Sequence, residues 1–402
     1  MMNKIPKGWE VKKLGEICEI TMGQSPKGEN VFENSQSLNG LEFHQGKICF
    51  TDKFISKSKF ITSDIRKIAE VGSILLCVRA PVGVINLTER KIAIGRGLCA
   101  LKANNQNNNF LYYYLLGLKQ YFESKATGST FSAITLNIVK NCEIPLPPLS
   151  EQKAIVDKLD DSFAKIENAI TNLINAKENL KLYKQSVLKS AFNGDLLPNT
   201  SPTNWEVKKL KDIGKISSGG TPSTSNDNNF GGNIAWITPA DLTGYKDKFI
   251  SKGKRNLSEA GLKNSSAKIL PKGTILFSSR APIGYVAIAQ NEISTNQGFK
   301  NLTPNESAIS EYVYYYLLGS KNLAEQSASG TTFKEISATA FSNLPIPLPP
   351  LSEQNLIVAE IDRRFAIVDK TLNLIDKSIQ NAKNLKQSIL KKAFSGELRS
   401  EI

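Results

Sequence analysis

Arg79 and Arg280 each close an apolar run and open the same five-residue phrase, Arg-Ala-Pro-x-Gly, at 79–83 and 280–284. A guanidinium at a strand end can grip a phosphate or make a two-pronged contact to a guanine edge; tied to a carboxylate, it would only order the turn. The segment SGGTPST at 218–224 offers Gly219, Gly220, Thr221, Ser223 and Thr224 as a flexible loop of small donors suited to close approach to a nucleic-acid backbone. Gln24, Ser25 and Lys27 stand at the equivalent place, within MGQSPKG at 22–28. Thr127–Thr130 and Ser329–Thr332 are weaker loop candidates. Lys246, Lys248, Lys252, Lys254 and Arg255 crowd into 246–255, either a phosphate-facing row or simply a solvated face.

Catalytic chemistry is harder to assemble. The chain has one histidine, His44, so a histidine-based triad would have to use it, and no Cys/His set has zinc spacing. His44 itself reads as an ordinary loop or surface residue. Five cysteines at 18, 49, 77, 99 and 142 are scattered and read as reduced structural thiols. There is no GxxxxGK[ST] phosphate loop, no GxGxxG following a strand, and no [DN]PP[YF] pocket. The residues point to binding without chemistry of the chain's own.

The elements that must position these groups come in duplicate. GWEVKKLGEI at 8–17 returns as NWEVKKLKDI at 204–213, and GSILLCVRAPVG at 72–83 as GTILFSSRAPIG at 273–284. YYYLLG, TGSTF, PLPPLSEQ and VLKSAFNGDL, starting at 112, 127, 145 and 187, all return 202 residues later, the second as SGTTF and the last as ILKKAFSGEL. A period near 200 is too long for a solenoid and marks a duplicated module. In each module short apolar runs such as Ile74–Val78, Val84–Leu87, Ile275–Phe277 and Tyr285–Ala289 read as strands, and segments such as Phe110–Gln120 as helices packed on them. Trp9 and Trp205 read as core anchors. This part of each module is α+β with a strand-rich core.

The rest of each module is one long helix. Pro147 and Pro148 stop the preceding segment, Ser150 offers an N-cap and Gly194 a terminator. Leu159, Ile166, Leu173, Leu180 and Val187 fall seven apart, and Ile361, Val368, Ile375 and Ile389 repeat that phase in a twin running from Ser352 to Gly396. A helix this long with one apolar seam needs a partner, and the chain holds an equal one. Antiparallel pairing in a coiled coil would put the globular parts at opposite ends of a pseudo-twofold rod.

The 402 residues carry 51 Lys+Arg against 37 Asp+Glu, a net +14. The excess is +7 over 1–149 and +5 over 196–350, while the helices are near balance, so an anionic partner suits the globular parts. No run is apolar enough to span a bilayer, and the N-terminal residues lack a signal-peptide core, so the expectation is a cytoplasmic protein with no membrane partner.

In its Trp motifs, RAPxG turns, SGGTPS loop, NIAWITPADL at 233–242 and doubled PLPPLSEQ helix openers, the chain resembles the specificity (S) subunit of type I restriction–modification systems. The resemblance covers nearly the whole chain in order: target recognition domain 1 at 1–148, spacer helix 1 at 149–195, target recognition domain 2 at 196–350, spacer helix 2 and tail at 351–402. It implies a non-catalytic subunit whose two domains read the halves of a bipartite, asymmetric site in double-stranded DNA, with the helices acting as a ruler. It also implies docking of two modification (methyltransferase) subunits and of restriction (translocase/nuclease) subunits. S-adenosylmethionine, ATP and Mg would sit on those partners and none on this chain. Two other readings fit the residues: the specificity chain of a two-subunit type II enzyme, and a coiled-coil scaffold whose basic heads bind proteins or membranes.

Overall fold

The structure, a computed structural model, describes residues 5–33, 40–105, 107–128, 132–198, 205–330 and 334–398. The chain forms two compact units, one of residues 1–173 with 376–402, the other of residues 174–375.

In the first unit, Ile74–Cys77 lies between Leu98–Ala103 and Ile85–Leu87 in an antiparallel sheet edged by Cys18–Met22. Its unbroken apolar run is explained by burial on both faces. Ile74 and Leu76 join a core with Phe110, Leu111 and Leu115 of helix Asn108–Leu116, while Leu75 and Cys77 face Ile92, Ile94 and Ile55 on the other side. A second sheet, ordered Val31–Glu33, Phe60–Thr62, Leu41–His44, Ile92–Ile94, Ile68–Ala69, covers that side. The expected helix over Phe110–Gln120 is two helices, Asn108–Leu116 and Lys119–Lys125. The break comes where Gly117 and Leu118 tighten the last turn onto the carbonyls of Tyr114 and Leu115.

The second unit repeats this plan. Ile275–Ser278 is central to a sheet ordered Gly214–Ser218, Phe299–Pro304, Ile275–Ser278, Val286–Ala289, Phe249–Ile250. Ile275 and Phe277 face the helix Ser310–Gly319, and Leu276 faces the opposite core with Ile237 and Ile250. A smaller sheet pairs Phe230–Ile237 with Arg255–Leu257 and Ser294–Thr295.

The long helices are Leu149–Asn193 and Leu351–Ser395, 45 residues each, two residues earlier at each start than the cap reading places them. Gly194 and Gly396 stop them at φ of 84° and 82°, and the Asp195 N–H closes onto the Ser190 carbonyl in the Schellman pattern. Each helix begins in one unit and ends in the other. In the first unit Lys386 bridges to Glu167 at 2.6 Å and lies over the Phe163 ring; in the second, Lys184 does the same to Asp369 and Phe365.

The helix ends do more than pair. Leu390, Ala393, Phe394 and Leu398 belong to the first unit's core, where the Phe394 ring sits 5.2 Å from Phe110 and 5.1 Å from Tyr114. Leu188, Ala191, Phe192 and Leu196 hold the matching places beside Tyr312 and Tyr316 in the second unit. Of the heptad residues, Leu159 and Val187 are buried in these head cores, as is Ile361, while Leu173 and Leu180 are half-buried.

The PLPPLSEQ repeat now has a physical reason. Glu151 and Glu353 accept the indole N–H of Trp9 and Trp205 at 3.0 and 3.1 Å. Buried Gln354 takes the Ile309 N–H at 3.0 Å and donates to the Ser307 and Pro349 carbonyls at 2.9 Å each; Gln152 holds Asn107 and Pro147 in the same way. This knot fixes the helix start against the shorter helix of the head. Gln354→Ala would strand a buried donor and acceptors, each costing about 1–3 kcal/mol. A denaturant midpoint clearly below that of the parent chain is the expected result, and an unchanged one would refute the role.

Candidate nucleic-acid interface

In the first head three turns converge. Ile74–Cys77 delivers Arg79 at the proline turn, whose Ala80–Pro81 peptide is cis. The Gly95-Arg96-Gly97 turn follows strand Ile92–Ile94, and its glycines let the backbone press against Gln45: a Cβ on Gly97 would lie 2.2 Å from the Gln45 carbonyl. Strand Leu41–His44 leads into Gln45, Gly46 and Lys47. Between them is a cleft of about 180 Å³ lined by Gln45, Lys47, Arg79 and Arg96, with no acidic side chain in its wall. Arg79, Arg96 and Lys47 are all exposed. The Arg96 N–H donates to Ser25 Oγ at 3.3 Å, and the Gln24 N–H to the Ile94 carbonyl at 3.0 Å, so the 22–28 loop borders the same turn. Gln24 and Lys27 are exposed, and Lys27 lies 3.8 Å from Glu29.

In the second head the corresponding turns meet with other side chains. Arg280 is exposed but bridges to Glu335 at 3.2 Å, and Lys300 reaches the other oxygen of that carboxylate at 3.2 Å. Thr221 hydrogen-bonds Gln297, as Ser25 contacts Arg96. Gly219 and Gly220 differ from the expected open loop: both are buried. A Cβ on Gly219 would lie 2.0 Å from the Asn296 carbonyl and one on Gly220 2.2 Å from the Ala267 nitrogen, while Trp236 donates to the Gly220 carbonyl. Close packing accounts for these glycines; Ser223 and Thr224 are the members that face solvent.

The basic run at 246–255 divides. Lys248 is drawn inward onto Asp362 at 2.7 Å, where Tyr315 also donates, and Lys53 and Tyr113 treat Asp160 alike in the first head. Lys246 is exposed. Lys252 and Lys254 flank an open cleft of about 440 Å³ with Arg255, whose guanidinium stacks 3.7 Å above Phe230. That stack holds a planar cation in place at the cleft. Thr127, Gly128, Ser329 and Gly330 pair with or border the proline turns through Ala133 and Glu335, while Ser129, Thr130, Thr331 and Thr332 lie outside the described residues.

Sequence reasoning missed Lys47 and Arg96, which only the fold brings to Arg79. It also misplaced His44. The ring is 3% exposed at the end of strand Leu41–His44, with Nε2 2.7 Å from Glu42. Arg90 clasps Glu42 through two bonds of 2.6 Å and also donates to the carbonyls of Ile55 and Ser56. Burial alone would raise the Glu42 pKa, but the bonds from Arg90, the Ser58 N–H and His44 overcome it and bring it down to about 2. Burial lowers that of His44. The cluster is a staple between strands. Burial also pushes the Cys18, Cys77, Cys99 and Cys142 thiols up to about 12, as suits structural cysteines. Among the described residues no group of three or more His, Cys, Asp or Glu could hold a metal ion, and no helix is long and apolar enough to cross a membrane.

Comparison with known proteins agrees with this arrangement. A family model described as type I restriction modification DNA specificity domain matches twice, over residues 6–176 and 202–382. The MjaIX specificity subunit of a type I restriction enzyme from Methanocaldococcus jannaschii is 43% identical over 196 residues, 48% of this chain and 43% of that protein; the chain thus spans less than half of that relative. The putative MjaX specificity subunit of the same organism is 26% identical over 99% of this chain and 95% of its own. A solved chain from work on complex assembly and conformational transition of the type I R-M system superposes with a TM-score of 0.76 at 26% identity, covering 97% of this chain and 98% of its own. The HsdS subunit from Thermoanaerobacter tengcongensis shares the fold at a TM-score of 0.59, 24% identity and 98% of each chain.

Proposed function

This chain belongs to the type I restriction–modification DNA specificity family, and from that premise we propose that its two heads, within 1–148 and 196–350, each read one half of a bipartite, asymmetric site in double-stranded DNA. It is the non-catalytic DNA specificity subunit with two target-recognition domains. The observation that carries the half-site reading is the pairing of like scaffolds with unlike surfaces: the same turns meet in both heads, yet present Arg96 in one and Gln297 in the other. Common strands would hold the loops at matching positions, and different side chains would select different bases.

Contacts with DNA are assigned to Arg79, Gln24, Ser25 and Lys27 in the first head, and to Thr221, Ser223, Thr224, Lys246 and Lys252 in the second. The long helices, through the heptad residues from Leu159 to Val187 and from Ile361 to Ile389, would pair, set the spacing between half-sites and dock two modification subunits, with restriction subunits joining that assembly. S-adenosylmethionine, ATP and Mg belong to those partners in this reading, which places the protein with the DNA in the cytoplasm. The test is a gel shift of the chain assembled with its modification subunits, titrated with salt. Steep loss of binding with rising salt supports DNA recognition through phosphate contacts. Salt-independent or absent binding by the assembled complex would reject it.

A further inference from the structure

The proline-turn arginines are repeats of one another, yet their surroundings differ in charge. Arg79 pairs across its turn with the backbone of Ala133, and Arg280 with that of Glu335, so the second head places a carboxylate where the first has a methyl group. Glu335 holds both Arg280 and Lys300, and strand register makes Cys99 the position matching Lys300 in the first head. Arg96 is matched by Gln297. Strand register places Phe43 opposite Ala93 and Trp236 opposite Ser294, so Pro239 and Ala240 stand where the first head has Gly46 and Lys47. Three exposed cations without an acidic neighbour in the cleft thus face one arginine neutralised by its own glutamate.

We propose that the two heads grip DNA with unlike cation sets. The first uses Lys47, Arg79 and Arg96 around the proline-turn cleft. The second uses Lys252, Lys254 and Arg255 around the Phe230 cleft, its Arg280 being a positioning residue held by Glu335. This rests on the reading of both heads as DNA-binding. A carboxylate at 3.2 Å both cancels the charge a phosphate would meet and fixes the guanidinium, so Arg280 ties its turn to Glu335. The phosphate-binding charge lies in the second head at a cleft whose Gly231, at φ +82° with nothing within 4 Å of a Cβ, leaves room for a backbone to approach. The first head, by contrast, presents its cations beside the loop of Gln24 and Ser25, where a phosphate and a base edge can be held together.

The experiment measures binding of the chain, assembled with its modification subunits, to its own methylation site across a range of salt concentrations. Each phosphate left without its cation should lower the slope of log affinity against log salt by about 0.9. Arg79→Gln with Arg96→Gln should lower it by about 2, as should Lys252→Gln with Lys254→Gln. Arg280→Gln should leave the slope within error, and Glu335→Gln should steepen it by freeing the exposed Arg280. These side chains are exposed, apart from the partly covered Glu335, so melting temperature should hold for the first three and confirms that binding is being read on folded protein. An Arg280→Gln slope change as large as that of the first double variant, or no change in either double variant while the parent still binds with steep salt dependence, overturns the inference alone. A parent complex with no salt-dependent binding overturns both it and the DNA reading.

Discussion

A chain ending at residue 198 is expected to purify as a dimer, although it contains a whole head and a whole long helix. The first head's core is completed by Leu390, Ala393, Phe394 and Leu398, which such a fragment lacks. Restoring burial of an aromatic and two leucines is worth about 1.5–3 kcal/mol per side chain, so their removal costs stability comparable to that of a typical domain. The fragment keeps the repeat equivalents, Leu188, Ala191, Phe192 and Leu196, at the free end of its own helix. Phe192 fits beside Tyr312 and Tyr316 as Phe394 fits beside Phe110 and Tyr114, with ring separations of 5.1–5.3 Å throughout. Two fragments can therefore exchange helix ends and complete each other's cores. Sedimentation should give a dimer whose melting temperature rises with concentration, and Phe192→Asp should abolish both dimer and cooperative melting. A well-folded monomer would show that the helix end is dispensable to the head.

Glu42→Ala should destabilise the first head by about 1–3 kcal/mol, because it leaves Arg90 and buried His44 without their shared partner. The charge-removing Glu42→Gln separates the electrostatic part through pH. Glu42 has a folded pKa of about 2 against an ordinary value of 4.5, so its contribution is complete above pH 4.5 and is lost as pH falls toward 2. The lowered pKa of His44 acts in the same direction from about pH 6.5 downward, since the unfolded chain then takes up a proton that the folded one resists. Urea unfolding at pH 7 and pH 3 should show parent and variant far apart at the first and closer at the second. An equal gap at both would mean that Glu42 does not act through its charge.

Much of the architecture was legible because repetition and periodicity are local properties of a sequence. Heptad phase and glycine stops give both long helices to within two residues, and runs such as Ile74–Val78 show strands buried on two sides. Trp9 and Trp205 read as core anchors, while their bonds to Glu151 and Glu353 emerge only from the fold. What escaped were relations between distant segments. Similarity between Phe192 and Phe394 says that they play like parts and leaves open which head receives which. Arg79 and Arg280 read alike until Ala133 and Glu335, over fifty residues away, are placed beside them. Gly219 and Gly220 read as an open loop because close packing against Asn296 and Ala267 leaves no mark in composition. His44 read as a surface residue because its partners, Glu42 and Arg90, become partners only across a sheet.

The central claim is that each head chooses half of the DNA site and leaves the reaction to other subunits. Mapping methylated bases in DNA from cells that carry the chain with its modification subunits tests this, alongside a version whose residues 1–148 come from another member of the family. The account predicts a two-part site in the parent, and a site with one half replaced and the other retained in the exchange. A continuous site, or an exchange that alters both halves or neither, would contradict it.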